Sequence, residues 1–537
     1  MSDLIVLLEI DGYNKDTSTV ETLRFCSGLA YRLRPSETPA NALYRPFLID
    51  AGWTRVDVFN SPGDYGHVTP GRIVLDDSSG ALGKSLVNYA FDGRKIVQRI
   101  GLRGAAYPGG FTTILNGTVD GPPAFGNRRI VFRPADLTAS MCRPLQTLRY
   151  AGNNTLPNGL EGVDDLKGRV KPIVLALASN MEPILVNTSK LIYHVSIPLG
   201  SSTHTVSAVR DKGVPLTADP AYANVTDLLD DTKAPAAGKY KVLSTTTDGC
   251  YIRVGQSPIG QLTLDAAYGN AAARTHAQCW KRVLELFGGV SASDISSSDV
   301  TALDTALAGE IEYALFDEVK IEDVLREIAE SAGASWYGDS TGVHRLQQWA
   351  TPSGPAVETL TKLRNEKSEL VDPIGNGDIA PAYLVTLYFG RNWTVQQDAN
   401  LGGDKTNPGT DTVRAPGGRA ALAARNWLAQ EYRKVSATDT SVKTAHLNAV
   451  ELTMRSLLND QTQAQAFVDA QLALYKVARH MTELVVWLSQ TQLNTIRVRS
   501  VVTVKDSYWN YDSGRLMRVA GIQPDMETGK TLLKCWG

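Results

Sequence analysis

Cysteine is scarce in this sequence, and the cysteines that are present form no pattern. The 537 residues include five, far apart and odd in number: Cys26, Cys142, Cys250, Cys279 and Cys535. The absence of a C-x-x-C pair argues against a disulfide framework or a zinc knuckle and suits a reducing compartment. We expect five reduced thiols, most of them buried.

Long apolar runs and an excess of one charge are also lacking. No segment approaches the ~18–20 apolar residues of a membrane span. The apolar run at 4–8 is too short for a secretory signal and is followed at once by Glu9. The formal net charge is −2 and the pI about 6.4, so no basic field attracts nucleic acid or anionic lipid. We therefore expect synthesis in the cytoplasm, no integral membrane segment and no sequence-specific nucleic-acid partner.

Two strings match catalytic motifs without having their context. Residues 338–342 fit G-x-S-x-G, but both flanks have strand composition, whereas a nucleophile elbow needs a strand followed by a helix. Residues 78–85 end like a P-loop, yet Ser78 stands where the first glycine belongs, and Asp76 and Asp77 would repel a phosphate. The better interpretations are a hairpin turn containing Ser340 and a polar turn before a short helix.

Metal-ligand and paired-carboxylate patterns are missing as well. The seven histidines form neither H-x-x-x-H nor H-E-x-x-H, although His194 and His204 would meet if their strands paired. Asp227, Asp230 and Asp231 lie close together but lack the spacing of a calcium loop. In a second acidic group, nothing in the sequence fixes the separation that a pair of glycosidase carboxylates needs. Its members are Glu310, Glu312, Asp317 and Glu318. We predict structural histidines, a solvated acidic turn, an exposed helix flank, and no catalytic, cofactor-binding or metal-binding residue.

What the sequence does contain is a succession of strand patterns. Frequent Thr and Val, with 46 Gly residues, favour β structure with many turns. Short strands separated by Gly, Pro, Asp and Ser favour a sandwich or barrel. They are predicted at 4–10, 19–25, 54–59, 72–75, 95–100, 112–116, 128–132, 191–196, 205–210, 239–243 and 250–254. Residues 82–91 suit a short helix or an irregular crossover.

Helical spacing begins near residue 271. It covers 271–287 and 298–308, and Ile321, Val324, Leu325 and Ile328 then share one helical face that ends at Gly333. A strand at 382–389 precedes a polar loop at 398–418, whose length is typical of functional or disordered segments. Residues 419–435 again have helical spacing.

The last eighty residues have the clearest organisation. A helix pattern at 461–480 leads to strands at 484–488, 496–504, 514–522 and 531–537. With no added tail expected, these strands are predicted to complete a β domain begun near 382–389. We predict a mainly β multidomain fold with α+β insertions. Its domains are an N-terminal β domain (1–144), a second β domain (145–270), a helical or α+β domain (271–350) and a β domain with helices (351–537).

Four segments, in this order, resemble baseplate hub and tail-tip proteins of non-contractile tailed bacteriophages, including Mu-like siphophages and gene transfer agents. The first is GRIVL at 71–75 followed by LVNYAFDG at 86–93. The second joins GLEG at 159–162 and GRVKP at 168–172 to LIY at 191–193 and VRDKGVPL at 209–216. The third is the unit at 321–336 running into Gly342, and the fourth is the C-terminal module at 461–537.

The resemblance implies a structural virion protein of the tail tip with tail-tube-like β domains. Three chains with two such domains each would form a pseudo-sixfold ring, one domain lying within 1–270 and the other assembled from 351–397 and 484–537. A homotrimer is favoured over a hexamer. The implied partners are the distal tail protein, the tape-measure protein, and tail fibre or central tip proteins, with the 398–418 loop as one contact. The alternatives are a hexameric distal-tail ring protein, a tail-associated hydrolase of envelope glycan or peptidoglycan, and a carbohydrate-binding module.

Overall fold

The computed structural model describes residues 4–52, 54–59, 67–135, 137–361, 365–372, 380–407, 409–525 and 530–537. The described chain is mainly β, with several sheets and a few helices, which confirms the predicted fold class. Its α-helices are Ala81–Leu86, Val225–Leu229, His276–Val283, Ser297–Ala306, Ile321–Ser331, Ala421–Leu428, Val442–Ala445, Gln461–Tyr475 and Gln490–Thr495. The division into domains at 144, 270 and 350 stays a prediction.

An eleven-stranded N-terminal sheet contains the first strands of the chain. Leu4–Asn14 pairs antiparallel with Thr19–Ser27 on one side and Lys95–Leu102 on the other. Alternate residues of this strand enter two apolar cores, so both faces of the sheet are covered. The remaining strands are Tyr31–Arg32, Leu43–Asp50, Ile73–Asp76, Tyr89–Ala90, Phe111–Val119, Ala124–Gly126, Arg129–Phe132 and Pro134–Ala135.

Two smaller sheets face each other across one core and form the second unit of the chain. The four-stranded sheet comprises Leu177–Met181, Leu262–Tyr268, His204–Asp211 and Val214–Pro215. The five-stranded sheet comprises Ile184–Asn187, Ile192–Ser196, Gly249–Val254, Lys239–Thr245 and Thr217–Ala218. Ile173–Val174 pairs separately with Ala314–Leu315. This sandwich agrees with the prediction of turn-rich β structure.

The helical region packs into the largest apolar core. Helix Ile321–Ser331 buries the predicted face, and Gly333 follows it with a φ of +62°. Strands Ala334–Gly338 and His344–Gln348 form the predicted hairpin. The first α-helix of the region, His276–Val283, is shorter than the predicted segment 271–287. It begins five residues later, and a π-helical turn at Leu284–Gly288 follows its last residue.

An eight-stranded C-terminal sheet closes the chain onto its beginning. Along the sheet the order is Glu358–Thr361, Val501–Lys505, Arg515–Pro524, Lys530–Trp536, Met481–Trp487 and Asn365–Asp372. The other two strands, Thr54–Asp57 and His67–Pro70, form a hairpin that leaves the N-terminal region and pairs with Arg515–Pro524. We call this hairpin, together with Val58 and Phe59, the arm.

The C-terminal strands do complete a sheet begun about a hundred residues earlier, but with other partners than predicted. Their early partners are Glu358–Thr361 and Asn365–Asp372. Ala382–Phe389 is instead the middle strand of a separate three-stranded sheet, between Arg433–Thr438 and Val450–Arg455.

Two local predictions were wrong. Residues 496–504 are not one strand, because a turn with Arg499 at a φ of +71° precedes Val501–Lys505. Residues 419–435 hold only the helix Ala421–Leu428, and a strand begins at Arg433. The loop at 398–418 pairs Arg414–Ala415 with Arg419–Ala420 and is anchored by Arg425, whose guanidinium donates to Asp398 and Asp411 (both 2.7 Å).

Candidate functional site

The junction between the arm and the C-terminal sheet joins the most distant parts of the chain. Asp57 lies opposite Gly521 in an antiparallel ladder, and the Val58 N–H donates to the Ala520 carbonyl (2.8 Å). The Ser335 hydroxyl donates to the Val58 carbonyl (2.7 Å), which adds the central hairpin. A Cβ at Gly521 would meet the Asp57 carboxylate, so the glycine lets this side chain lie close against the strand. Two regions of the fold, the C-terminal sheet and the central hairpin, are therefore bonded to one short stretch of backbone in the arm, 56–58.

Three buried aromatic rings seal this junction. Phe59 stacks on Trp349 with ring centroids 4.4 Å apart, and Trp536 lies 5.6 Å from Phe59 and 5.3 Å from Trp349. Arg479 and Arg499 place their guanidinium groups over Trp536 and Trp349 (5.1 and 5.3 Å). Such ring pairs contribute about 0.5–1.5 kcal/mol each beyond the burial of their area. The cluster therefore holds the arm against the C-terminal sheet through side chains that are far apart in the sequence.

A second junction is polar and connects the second unit to the rest of the chain. Asn180, fully buried and at a φ of +59°, donates through Nδ2 to Asn392 Oδ1 (3.0 Å) and to the Thr394 carbonyl (2.7 Å). Beside it, the buried Glu312 carboxylate accepts from the Ser179 N–H (3.0 Å) and hydroxyl. Burial raises the pKa of Glu312 to about 7, although the bonds from Ser179 oppose the shift.

The two motif-like strings occupy turns, as predicted. Ser340 lies in the hairpin turn, where Asp339 Oδ1 accepts from the Thr341 and Val343 N–H groups (2.9 and 3.1 Å). Burial alone would raise the pKa of Asp339, but hydrogen bonds from Thr341 and Arg345 outweigh it and lower that pKa. Ser340 faces a cavity of about 330 Å³, and of the described residues that line it none is histidine. In the string at 78–85, residues 78–80 form a turn and the remaining residues belong to the short helix Ala81–Leu86.

The predicted structural histidines have separate surroundings. His194 Nδ1 is hydrogen-bonded to the Tyr150 hydroxyl (2.6 Å), and His204 Nε2 to the Val174 carbonyl (3.0 Å). Their strands belong to different sheets and do not pair. Burial lowers the pKa of His194 to about 3 and that of His204 to about 4. The side chain of another histidine, His67, lies outside the described part of the structure.

The acidic groups are distributed among different partners. Asp231, predicted to be merely solvated, pairs with Lys190 and Arg253 (both 2.7 Å). Glu310 pairs with Arg274 and Glu318 with Arg149. Glu312 is buried instead of lying on an exposed helix flank, which corrects that prediction. Within the described residues, no group of three or more His, Cys, Asp or Glu side chains is placed to hold a metal ion.

Further surface depressions lie elsewhere on the described residues. A cleft of about 950 Å³ beside the second unit is lined by Tyr193, Phe316, Trp393 and the hydrogen-bonded pair Gln261 and Glu182, and by no described His, Cys or Ser. A groove of about 340 Å³ runs along strand Val450–Arg455. No helix among the described residues has the length and apolar character needed to span a membrane.

Several residues of these junctions were missed at the sequence level. Strand Val450–Arg455 alternates apolar and polar residues, a period-two signal that was available and overlooked. Asn180 and Glu312 carry no sequence signal of burial, because a single polar residue has no periodicity. The sequence predicted a strand at 54–59 but not the strand with which it pairs, Arg515–Pro524. Two strands more than 450 residues apart carry no sequence pattern that links them.

A scan against protein-family models and a search of curated proteins both find no match for this sequence. Among solved structures, the chain is similar to a tail protein from Neisseria meningitidis MC58 (9% identity, 92% of this chain and 93% of that chain, TM-score 0.39). It is also similar to the 43 kDa tail protein of prophage MuSo2 from Shewanella oneidensis (10%, 93% and 96%, 0.35). A third is the prophage tail protein gp18 from Listeria monocytogenes EGD-e (8%, 100% and 94%, 0.31).

These structural neighbours are tail proteins, as the sequence resemblance predicts. At identities of 8–10% and TM-scores of 0.39 or lower, function has to be argued from the residues of this chain.

The aromatic cluster can be tested with two tryptophans of neighbouring strands. We expect Trp536→Ala to lower the free energy of unfolding by about 3–5 kcal/mol, as for a fully buried large side chain. Trp487→Ala should cost far less, because Trp487 is 51% exposed. Urea unfolding followed by tryptophan fluorescence and circular dichroism measures both. Equal losses for the two variants would contradict the role assigned to the cluster.

Glu312→Gln should change how stability depends on pH. The folded-state pKa is raised from 4.5 to about 7, so the contribution of Glu312 is fully present below pH 4.5 and is lost as pH rises through 7. Glutamine cannot ionise, and relative to the wild type the variant should gain up to about 3 kcal/mol between pH 4.5 and 8. Urea midpoints across this range measure the difference, with the exposed Glu318→Gln as control. A constant difference for Glu312→Gln would refute the assignment.

His276→Leu should remove part of the acid sensitivity. His276 is fully buried, neither ring nitrogen has a hydrogen-bond partner among the described residues, and burial lowers its pKa from 6.5 to about 3. The unfolded chain therefore binds a proton that the folded chain excludes, and stability falls as pH drops below 6.5. At pH 5 the variant should retain about 2 kcal/mol that the wild type loses. Parallel curves of stability against pH would show that His276 does not contribute.

Proposed function

We propose that this protein is a structural component of the bacteriophage tail tip: a baseplate hub that joins the tail tube or distal tail ring to the tip and fibres. It would help to form the DNA exit channel and would be located in the virion. The observation that carries the proposal is the presence of two large β-sheets in one chain, eleven-stranded and eight-stranded, fixed to each other by the arm. Three chains would then supply six β units around one axis.

The arm supports this assignment because a ring needs a fixed angle between successive units. A flexible linker would let the two sheets rotate independently, and the ring would not close at a defined number of subunits. Here the ladder between Asp57 and Gly521 and the aromatic cluster replace such a linker. The four sequence segments that resemble hub proteins give independent support. They include the helix-hairpin unit and the C-terminal sheet described above.

A structural role without enzymatic activity belongs to the same proposal. The hydroxyl and carboxylate groups considered for hydrolysis are held in turns, in ion pairs or in the core, and Glu312 bonds to Ser179 at an internal junction. The proposed partners are further copies of this chain, the distal tail protein, the tape-measure protein and fibre or central tip proteins. A hexameric distal-tail ring is the near alternative.

The proposal predicts a stable trimer. Native mass spectrometry should give three times 58.1 kDa, about 174 kDa, and class averages from electron microscopy should show a ring with threefold symmetry. A hexamer would favour the distal-tail ring, and a stable monomer that is also absent from assembled tails would refute both. Release of sugar or peptide from peptidoglycan, abolished by Ser340→Ala, would favour the hydrolase instead.

A glycine variant tests whether the arm is needed for the ring. Gly521→Ala places a Cβ against Asp57 and should shift the population from trimer to monomer. Gly109→Ala is the matched control, because a Cβ there meets no atom within 4 Å and its φ is not positive. Trimer fractions that are equal for the two variants would separate ring formation from the arm.

A further inference from the structure

Strand Val450–Arg455 lies at one edge of the three-stranded sheet. It pairs in parallel with Ala382–Phe389, and no other described strand lies beside it. At the two ends of this ladder the Val450 N–H donates to the Pro381 carbonyl (3.1 Å) and the Ser456 N–H to the Tyr388 carbonyl (2.9 Å). The even-numbered residues therefore direct their backbone groups into the sheet.

The odd-numbered residues of strand Val450–Arg455 direct their backbone N–H and C=O groups outward, away from Ala382–Phe389. Because backbone N–H and C=O groups alternate from side to side along a strand, Glu451, Thr453 and Arg455 present theirs at the open edge. No described backbone group is bonded to them. Their side chains are exposed, whereas Leu452 and Met454 are half-buried against the main core. The edge thus offers a row of hydrogen-bonding groups with an apolar floor beside it.

A groove separates this edge from helix Ile321–Ser331. It has a volume of about 340 Å³, with Leu452, Met454 and Leu457 on its strand side and Glu327 and Glu330 on its helix side. A strand added at the usual spacing of about 4.8 Å would place every second side chain in this groove. The groove therefore fits the apolar face of an extended segment.

The charges around the groove indicate which charged side chains a bound segment would carry. Glu327 is exposed and stays oriented because its carboxylate accepts from the Tyr313 hydroxyl (2.6 Å). The nearest cation on the strand, Arg455, has its guanidinium over the ring of Tyr432, 5.6 Å from the centroid. The helix wall is therefore acidic, and it complements lysine or arginine side chains.

We propose that the edge strand Val450–Arg455 binds a partner protein by β-strand addition. The partner segment is extended, and the side chains on its groove-facing side are apolar where they meet Leu452 and Met454 and include a lysine or arginine where they meet Glu327. Main-chain hydrogen bonds from Glu451, Thr453 and Arg455 supply affinity, and the groove and its acidic wall supply specificity. This interaction does not depend on the proposed hub function, since it requires only the folded chain.

The test uses the full-length chain and a designed peptide. The probe is a fluorescein-labelled decapeptide with threonine at every second position, and with valine and one central lysine at the positions between, so that valine and lysine share one face. Its counterpart is N-methylated at every residue, so that neither edge can donate a main-chain hydrogen bond. Fluorescence anisotropy should show saturable binding of the first peptide and none of the second. Raising the salt concentration should weaken binding, because the Glu327 wall attracts lysine.

Two substitutions at one position isolate the backbone contribution. Thr453→Pro removes the outward N–H without touching the ladder to Ala382–Phe389, a position where an edge strand accepts proline. It should weaken peptide binding at least about fivefold, whereas Thr453→Val, which keeps the N–H, should leave it nearly unchanged. Glu327→Gln should weaken the lysine peptide but not a version with glutamine in place of lysine.

Hydrogen exchange of the wild-type chain tests the same contact without any substitution. Adding the peptide should slow exchange at Glu451, Thr453 and Arg455, and leave Leu452 and Met454 as they were. The proposal fails if no peptide binds saturably, if exchange at these three amides is unaltered, or if Thr453→Pro binds as well as Thr453→Val. It also fails if Thr453→Pro dissociates the oligomer, because the edge would then be a contact between copies of this chain.

Discussion

The packing of Phe59 between Trp349 and Trp536 is the contact on which the remaining architecture depends. The N-terminal sheet, the helical core and the C-terminal sheet each have apolar interiors of their own. This cluster and the short ladder beside it hold the arm of one region within another. Hydrogen bonds from Thr112 to Asn494 (2.6 Å) and from Asn116 to the Thr341 carbonyl (2.9 Å) add to the contacts between the regions. Much of the buried surface between these regions is therefore created by residues that are hundreds of positions apart.

Sequence patterns predicted what is local and failed where pairing is distant. The strands of the N-terminal region, the helix beginning at Ile321 and the hairpin after Gly333 follow from period and turn chemistry, and they are present. The strand predicted at 496–504 is interrupted because Arg499 adopts a left-handed conformation, which a pattern of apolar residues does not reveal. The strands that pair with Ala382–Phe389 were predicted wrongly for a related reason. All strand edges present the same backbone N–H and C=O groups, so the sequence does not show which two strands pair.

The candidate site was even less accessible to sequence, because its informative residues are isolated polar groups. Glu312 and Asn180 are fully buried, and each bonds a segment from another part of the chain. Burying such groups costs free energy unless every bond is made. Their hydrogen bonds link the second unit to the segments that contain Glu312 and Asn392, a connection that sequence composition does not record.

The arm has a consequence for the order in which the chain matures during synthesis. Asp57 is bonded to a strand that begins at Arg515, so more than 450 residues must follow it before its partner leaves the ribosome. At about 5–20 residues per second, translation leaves the arm without that partner for roughly 25–90 s. Throughout this interval the arm has its local partner His67–Pro70 but lacks the strand Arg515–Pro524, and Phe59 lacks Trp536, so apolar side chains that are buried in the folded chain have no cover. Completion of the last strands, rather than of any single domain, therefore marks the point at which the protein becomes resistant to aggregation and to proteases.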